Sequence, residues 1–210
     1  MRIFLAKRIA QASCVFISYG RLVRMIVTRK PRMRINKRLC NEAMKYQKLH
    51  IIGGPGSGKS YIARRLSEKY GLPQHDLDDI FWDRNHTDYI RSSDEARQRN
   101  LESILSNDTW IIEGVYYKWL EKSFEGADKI IVLNTPVLLR QWRVLRRYLG
   151  YKLSRSHEKD ETFANLIELI SWNQKYDRDN LVRFYAFSKA QAHKIVVCSS
   201  FSEVERAVNA

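Results

Sequence analysis

The sequence predicts an α/β fold, a parallel sheet covered by helices, and three observations predict it. From residue 49 onward, short β-rich runs alternate with longer helical patterns. The runs are apolar along their length rather than alternating, as strands buried on both faces are. The first run opens into a glycine-rich turn and then a helix, the order a strand, phosphate loop and helix require.

Five runs are candidate strands: 49–52, 72–77, 110–113, 129–133 and 194–197. Helical patterns fall at 59–70, 93–105, 136–149, 162 to roughly 187, and 202–208. Pro136 suits a first helical turn, where a missing N–H costs nothing. Ser202 gives a weaker start signal for the last helix.

The 210 residues allow one domain with a core of its own, plus an appendage. The formal charge of +14 is unevenly placed. Residues 1–48 hold 13 of the 37 Lys and Arg and a single acid, Glu42. The rest of the chain is close to neutral, so polyanion attraction must come from the leader or from a local cluster. Arg and Lys interrupt the leader too often for a membrane span of about 20 apolar residues. Its Arg-rich, nearly acid-free composition is that of a transit peptide or a basic amphipathic segment. Met44 as the natural initiator is the other expectation, with 1–43 a poorly packed or helical extension that activity does not need. Cys14, Cys40 and Cys198 form no metal or disulfide spacing, which points to a reducing, cytoplasmic setting, with Cys198 as core packing.

Gly53-Gly54-Pro55-Gly56-Ser57-Gly58-Lys59-Ser60 is a complete Walker A loop. Its glycines let successive backbone N–H groups converge on phosphates, and the following helix, opening at Tyr61, turns its positive end to the same anion. Lys59 is expected to reach the β and γ phosphates of ATP, and the Ser60 hydroxyl to ligate Mg²⁺. The cofactor-binding set is therefore 53–61, with Mg²⁺ carried on the ATP. A second acid is needed at a neighbouring strand end. Glu113 closes the run Trp110-Ile111-Ile112 before Gly114 and is the candidate metal residue beside Ser60. Asn134, after the rival strand, has no charge to offer.

The segment His75-Asp76-Leu77-Asp78-Asp79-Ile80-Phe81-Trp82 places acids where a parallel strand meets the ligand crevice. Asp78 and Asp79 are candidates for an acceptor hydroxyl or the metal, and Phe81 and Trp82 for an apolar wall. His75 and His86 are expected to be incidental. Arg140, Arg143 and Arg147 share one helix face with Arg146 beside it, and Arg155 lies beyond. Such a cluster suits a phosphate clamp. The Lys-, Arg- and Ser-rich stretch at 150–161 is expected to be a loop, part of a lid at about 147–162.

These motifs, with Trp-Ile-Ile-Glu-Gly-Val-Tyr-Tyr at 110–117, Ile-Ile-Val-Leu-Asn-Thr-Pro at 130–136 and Trp142-Arg143-Val144-Leu145-Arg146-Arg147, resemble the adenylate-kinase-like P-loop proteins known as DNA topology modulation or FlaR-like proteins. The resemblance covers about 44–210. It implies the three-layer P-loop NTPase fold of the nucleoside monophosphate kinase type, with five parallel strands and an arginine-bearing lid. It further implies Mg-ATP as donor. Val115-Tyr116-Tyr117 stands where adenylate kinases have Phe-Pro-Arg, so the arginine that grips AMP is absent there. The Asp76, Asp78 spacing is similar to that of shikimate-kinase-type enzymes.

The expected activity is transfer of the γ-phosphoryl of ATP to a small acceptor, a nucleotide, nucleoside or hydroxyl compound, by Lys59, Asp78, Glu113, Arg143 and Arg147. The competing expectation is a regulatory ATP-binding module acting on nucleic acid, a partner the residues do not favour because they show no nucleic-acid-reading motif.

Overall fold

A computed structural model of the chain describes residues 44–83, 90–153 and 162–210. The leader at 1–43, His86, Arg155 and the greater part of the expected lid lie outside the described residues.

Strand β1 (Lys48–Ile52) leads through the glycine-rich loop to α1 (Lys59–Tyr70). The chain then forms β2 (Gln74–Asp76), a short helix α2 (Leu77–Phe81) and a two-stranded ribbon of β3 (Trp82–Asp83) and β4 (Ile90–Arg91). Next come α3 (Asp94–Leu105), β5 (Trp110–Gly114), α4 (Glu121–Gly126), β6 (Lys129–Leu133) and α5 (Val137–Leu153). Helix α6 (Phe163–Tyr176) continues through a π-helical turn, Asp177–Leu181, into α7 (Val182–Phe187). A 3₁₀ turn, β7 (Ile195–Cys198) and α8 (Phe201–Asn209) end the chain.

The main sheet has the order β2-β5-β1-β6-β7, every pairing parallel. Its two faces carry separate apolar clusters, so the domain has three layers. Leu49, Ile51, Ile111 and Ile131 pack against Ile62, Ala63 and Leu66 of α1 and Val204 and Val208 of α8. On the other face Ile52, Ile112, Ile130 and Val132 meet Leu77, Leu101, Phe124 and Phe184. Cys198 is buried in the first cluster. His50 faces the second, where its Nδ1 lies 2.8 Å from Ser123 Oγ and burial holds its ring neutral, with a pKa lowered to about 3.

Several expectations shift. The second strand is shorter than 72–77, because Asp76 caps a helix instead: its carboxylate accepts the Asp78 N–H at 2.9 Å. Ser200, not Ser202, caps the last helix, accepting from Glu203 N–H. The helix after Pro136 runs to Leu153, so 150–153 is helical rather than the start of a loop; Gly150 sits in it without close neighbours. The single helical pattern at 162–187 is two helices joined by the π turn.

Candidate functional site

The strand order reverses direction around β1, whose neighbours are β5 and β6, and in such sheets the crevice at the carboxyl ends of the strands takes the ligand. Register brings three site segments to that edge. Ile52, just before the loop, lies opposite Gly114, and Asp76 lies opposite Glu113. Two carboxylates and the phosphate loop are thereby neighbours.

The loop takes a form that requires glycine at two positions. Gly56 has φ +74° and Gly58 φ +98°, conformations that L side chains rarely adopt. A Cβ on Gly56 would stand 2.4 Å from the Arg140 carbonyl oxygen. Other loop atoms are tied down from within the loop and from outside it. Ser57 N–H donates to Gly54 O at 3.1 Å. Ser57 O accepts from the Thr135 hydroxyl at 2.9 Å and from Arg143 Nη1 at 3.0 Å. Arg143 also reaches Gly56 O at 3.2 Å. Asn173 Nδ2 donates to Pro55 O at 3.0 Å. Gly53 and Gly54 are closely packed, against Ser57 and Tyr176 respectively. Tyr61 is half exposed at the start of α1, its hydroxyl accepting from Arg65.

Lys59 Nζ lies 3.8 Å from Glu113 Oε2, and the Glu113 side chain is only 4% exposed. Burial pushes the Glu113 pKa up to about 7; Lys59 and a hydrogen bond from Ser60 oppose that rise, and Asp76 and Asp78 add to it. The Asp76 pKa is likewise raised, first by its own burial. Glu113 Oε2 is buried and has no hydrogen-bond partner among the described residues. A buried carboxylate oxygen of this kind, next to Ser60 and Lys59, fits a cation that arrives with phosphates. Among the described residues no group of three or more His, Cys, Asp and Glu is arranged to hold a metal ion by itself, and Mg²⁺ bound through one or two protein oxygens and phosphate needs none.

Two cavities flank Lys59. The smaller, about 400 Å³, is lined by the loop, Ser60, Tyr61, Arg143, Arg146 and Arg147. The larger, about 790 Å³, takes in Asp78, Phe81, Trp82, Tyr116, Trp172 and Arg183 among its walls. Gly56, Lys59 and Arg147 line both. Asp78 is held at the larger cavity by the Tyr116 hydroxyl, which donates to Oδ1 at 2.9 Å. Burial, and then the Asp78 charge, push the Tyr116 pKa up, so it remains a phenol donor. Phe81 stacks on Tyr116 at 4.4 Å. Asp79 is not among the lining residues of either cavity.

Arg140 departs from the expectation that it joins a phosphate clamp. It is buried, with Nη1 and Nη2 on the two Asp177 oxygens at 2.7 and 2.8 Å and Nη2 also on Asn173 O at 3.3 Å. The guanidinium lies 5.4 Å from the Tyr176 ring centre. Arg140 is thus a bracket beneath the loop, and Arg143 reaches the loop's carbonyls, while Arg147 borders both cavities. Arg140, Asn173 and Asp177 were missed as a unit because nothing local in sequence links residues 33 and 37 positions apart. Arg97 was missed too, although a signal existed: it stands four residues before Leu101, on the buried face of α3.

No family model matches the chain, and no curated protein matches it. Among solved structures, it is similar to a gluconokinase from Sinorhizobium meliloti 1021 at 15% identity and a TM-score of 0.48, over 79% of this chain and 91% of that one. It is similar also to a shikimate kinase from Bacteroides thetaiotaomicron at 17% identity and a TM-score of 0.49, over 78% and 94%. At these values neither likeness says what the chain does. The strand order and the loop themselves make this a three-layer α/β protein of the P-loop class, and its chemistry is read from the cleft.

Proposed function

We propose that the chain is an ATP-dependent phosphotransferase acting on a small acceptor. One observation carries this: two cavities, one walled by the phosphate loop and one by Asp78 and aromatic side chains, meet at Lys59 and Arg147. A nucleotide-binding switch needs the first cavity; a phosphotransferase needs both.

In this reading the triphosphate of ATP lies in the loop, against the backbone N–H groups and the start of α1. Lys59 turns from Glu113 to the β and γ phosphates, and Arg147 faces the group in transit. Arg143 acts through the loop, since its guanidinium holds the Gly56 and Ser57 carbonyls. Mg²⁺, held by the Ser60 hydroxyl and the Glu113 carboxylate, would offset charge on the β and γ phosphates. The acceptor hydroxyl sits at Asp78, whose Oδ1 is already engaged by Tyr116. Its oxygen attacks the γ-phosphorus and the bond to the bridging oxygen breaks. ADP leaves with that electron pair, and the hydroxyl proton passes to the Asp78 carboxylate. Catalysis of this kind is positioning plus charge stabilisation.

The test is a screen of nucleotides, nucleosides and polyols for acceptor-dependent ADP release by the full chain. Asp78→Ala is expected to bind ATP normally and to lose transfer by about 10²-fold or more. Unchanged turnover in that variant removes Asp78 from the chemistry.

A further inference from the structure

The larger cavity contains more positive charge than phosphoryl transfer requires. Arg91 on β4, Arg97 on α3, Lys118 after β5 and Arg183 on α7 line it, in addition to the Lys59 and Arg147 shared with the donor side. The only lining carboxylates among the described residues are Asp78 and Asp94. Asp94 is divided between two guanidinium groups, bonding Arg91 at 3.3 Å and Arg97 as well. Asp78 is held by Tyr116.

Arg97 is the built part of this wall. Its side chain is 5% exposed, and its Nε has no hydrogen-bond partner among the described residues. The guanidinium lies 5.1 Å from the Phe81 ring centre and 5.4 Å from that of Trp119. Arg91 lies 5.3 Å from Phe81. The buried indole Nε1 of Trp119, another cavity residue, is also without a partner among the described residues. Both atoms belong to donor-only groups. The carboxylate on Arg97, Asp94, is 80% exposed and shared with Arg91, so the charge of the buried guanidinium is incompletely matched, and a second anion would relieve that cost. A guanidinium steadied by aromatic rings loses little freedom when it grips a carboxylate or phosphate, whose geometry its fork matches.

We propose that the acceptor carries an acidic group, a carboxylate or a phosphate, apart from the hydroxyl that reacts, and that Arg97, supported by Arg91, binds it. This assignment rests on the phosphotransferase reading above and names its substrate class: hydroxy acids and phosphorylated hydroxy compounds, not neutral polyols or nucleosides.

The experiment saturates the full chain with a non-hydrolysable ATP analogue and Mg²⁺, filling the donor side, and then titrates inorganic phosphate and, separately, acetate. Wild type is expected to gain about 3 °C in Tm at about ten times the dissociation constant of the better anion. Whichever anion acts tells phosphate from carboxylate. Arg97→Met is expected to lose the gain. Arg91→Gln, an exposed change that leaves the fold intact, is expected to reduce it and decides the matter if Arg97→Met does not fold. No gain in wild type with either anion, or the same gain in both variants, overturns the assignment.

A kinetic arm compares glycerol, glycerate and glycerol phosphate, and adenosine with its monophosphate. A neutral member that turns over as fast as its acid overturns the assignment while leaving the phosphotransferase reading intact. Failure of the wild-type chain to bind the ATP analogue sinks that reading instead, and the anion titration of the protein alone, wild type against Arg97→Met, still reports on Arg97. For an acid-bearing acceptor that is used, Arg97→Met is expected to raise its KM about tenfold or more and to leave ATP affinity unchanged.

Discussion

Asp177→Ala isolates the bracket beneath the phosphate loop. It removes both carboxylate oxygens that Arg140 uses and leaves the guanidinium, 1% exposed, with Asn173 O at 3.3 Å and the Tyr176 ring. Removing one partner of a buried pair costs about 3–5 kcal/mol, since the other charge stays buried and unpaired. The Asp177 side chain is 51% exposed, so water can enter in its place. The expected loss is therefore about 2–3 kcal/mol. For a domain of this size that is a fall of about 4–12 °C in Tm. Because α5 and α6 also hold the loop, through the Arg140 carbonyl under Gly56 and through Asn173 on Pro55, ATP affinity is expected to fall as well, by about tenfold. Urea denaturation gives the first quantity and calorimetric titration of Mg-ATP the second. Replacing both partners, Arg140→Met with Asp177→Leu, is expected to recover most of the stability but not the ATP affinity. Glu205→Gln, which breaks an exposed pair with Lys69, serves as the control and should change neither. A loss below about 0.5 kcal/mol in Asp177→Ala, or a double variant no more stable than the single one, refutes the bracket.

Other outcomes follow from the same geometry. Gly56→Ala places a Cβ on the Arg140 carbonyl at φ +74° and is expected to cost about 1–3 kcal/mol and most ATP binding; an unimpaired protein would show that the loop does not need this conformation. With its pKa raised to about 7, Glu113 is largely protonated in the folded chain at lower pH, so Mg²⁺-dependent ATP affinity is expected to strengthen as pH rises from about 6 to about 8, and Glu113→Gln to flatten that profile. The sign for stability is the reverse. Since the folded pKa lies above the unfolded one, Glu113 makes the fold less stable as pH rises between about 4.5 and about 7, and Glu113→Gln should remove that slope. Arg143→Met takes the tether from the Gly56 and Ser57 carbonyls, and weaker ATP binding with unchanged acceptor KM is the expected result.

The sheet was legible where a strand is a short apolar run with a clear boundary, as β1, β5 and β6 are; β2, Gln74-His75-Asp76, is polar. The run at 129–133 is strand β6 without adjustment, and the helix at 59–70 is α1. The Walker A pattern carried its own context. What failed were features whose cause is distant or very local. Leu77 reads as the end of an apolar strand, yet Asp76 turns the chain there by capping α2. The β3–β4 ribbon has only two residues per strand, too few for an alternating pattern to register. Arg140 shares its helical face with Arg143 and Arg147, and periodicity alone cannot tell that Arg140 meets Asp177, in the π turn beyond the next helix. The π turn redirects the helix so that Asp177 meets Arg140 while Asn180 and Arg183 line the larger cavity, a change of register no 3.6-residue pattern encodes. Arg97 was readable in principle, as a basic residue at a core-facing position.

Calorimetric titration of ATP, with and without Mg²⁺, into the full chain and into Lys59→Met tests the central claim most directly. One site per chain is expected, tightened by Mg²⁺, with affinity falling by about tenfold or more in the variant. Equal affinity in the two proteins would contradict the claim that this loop and its lysine hold the donor.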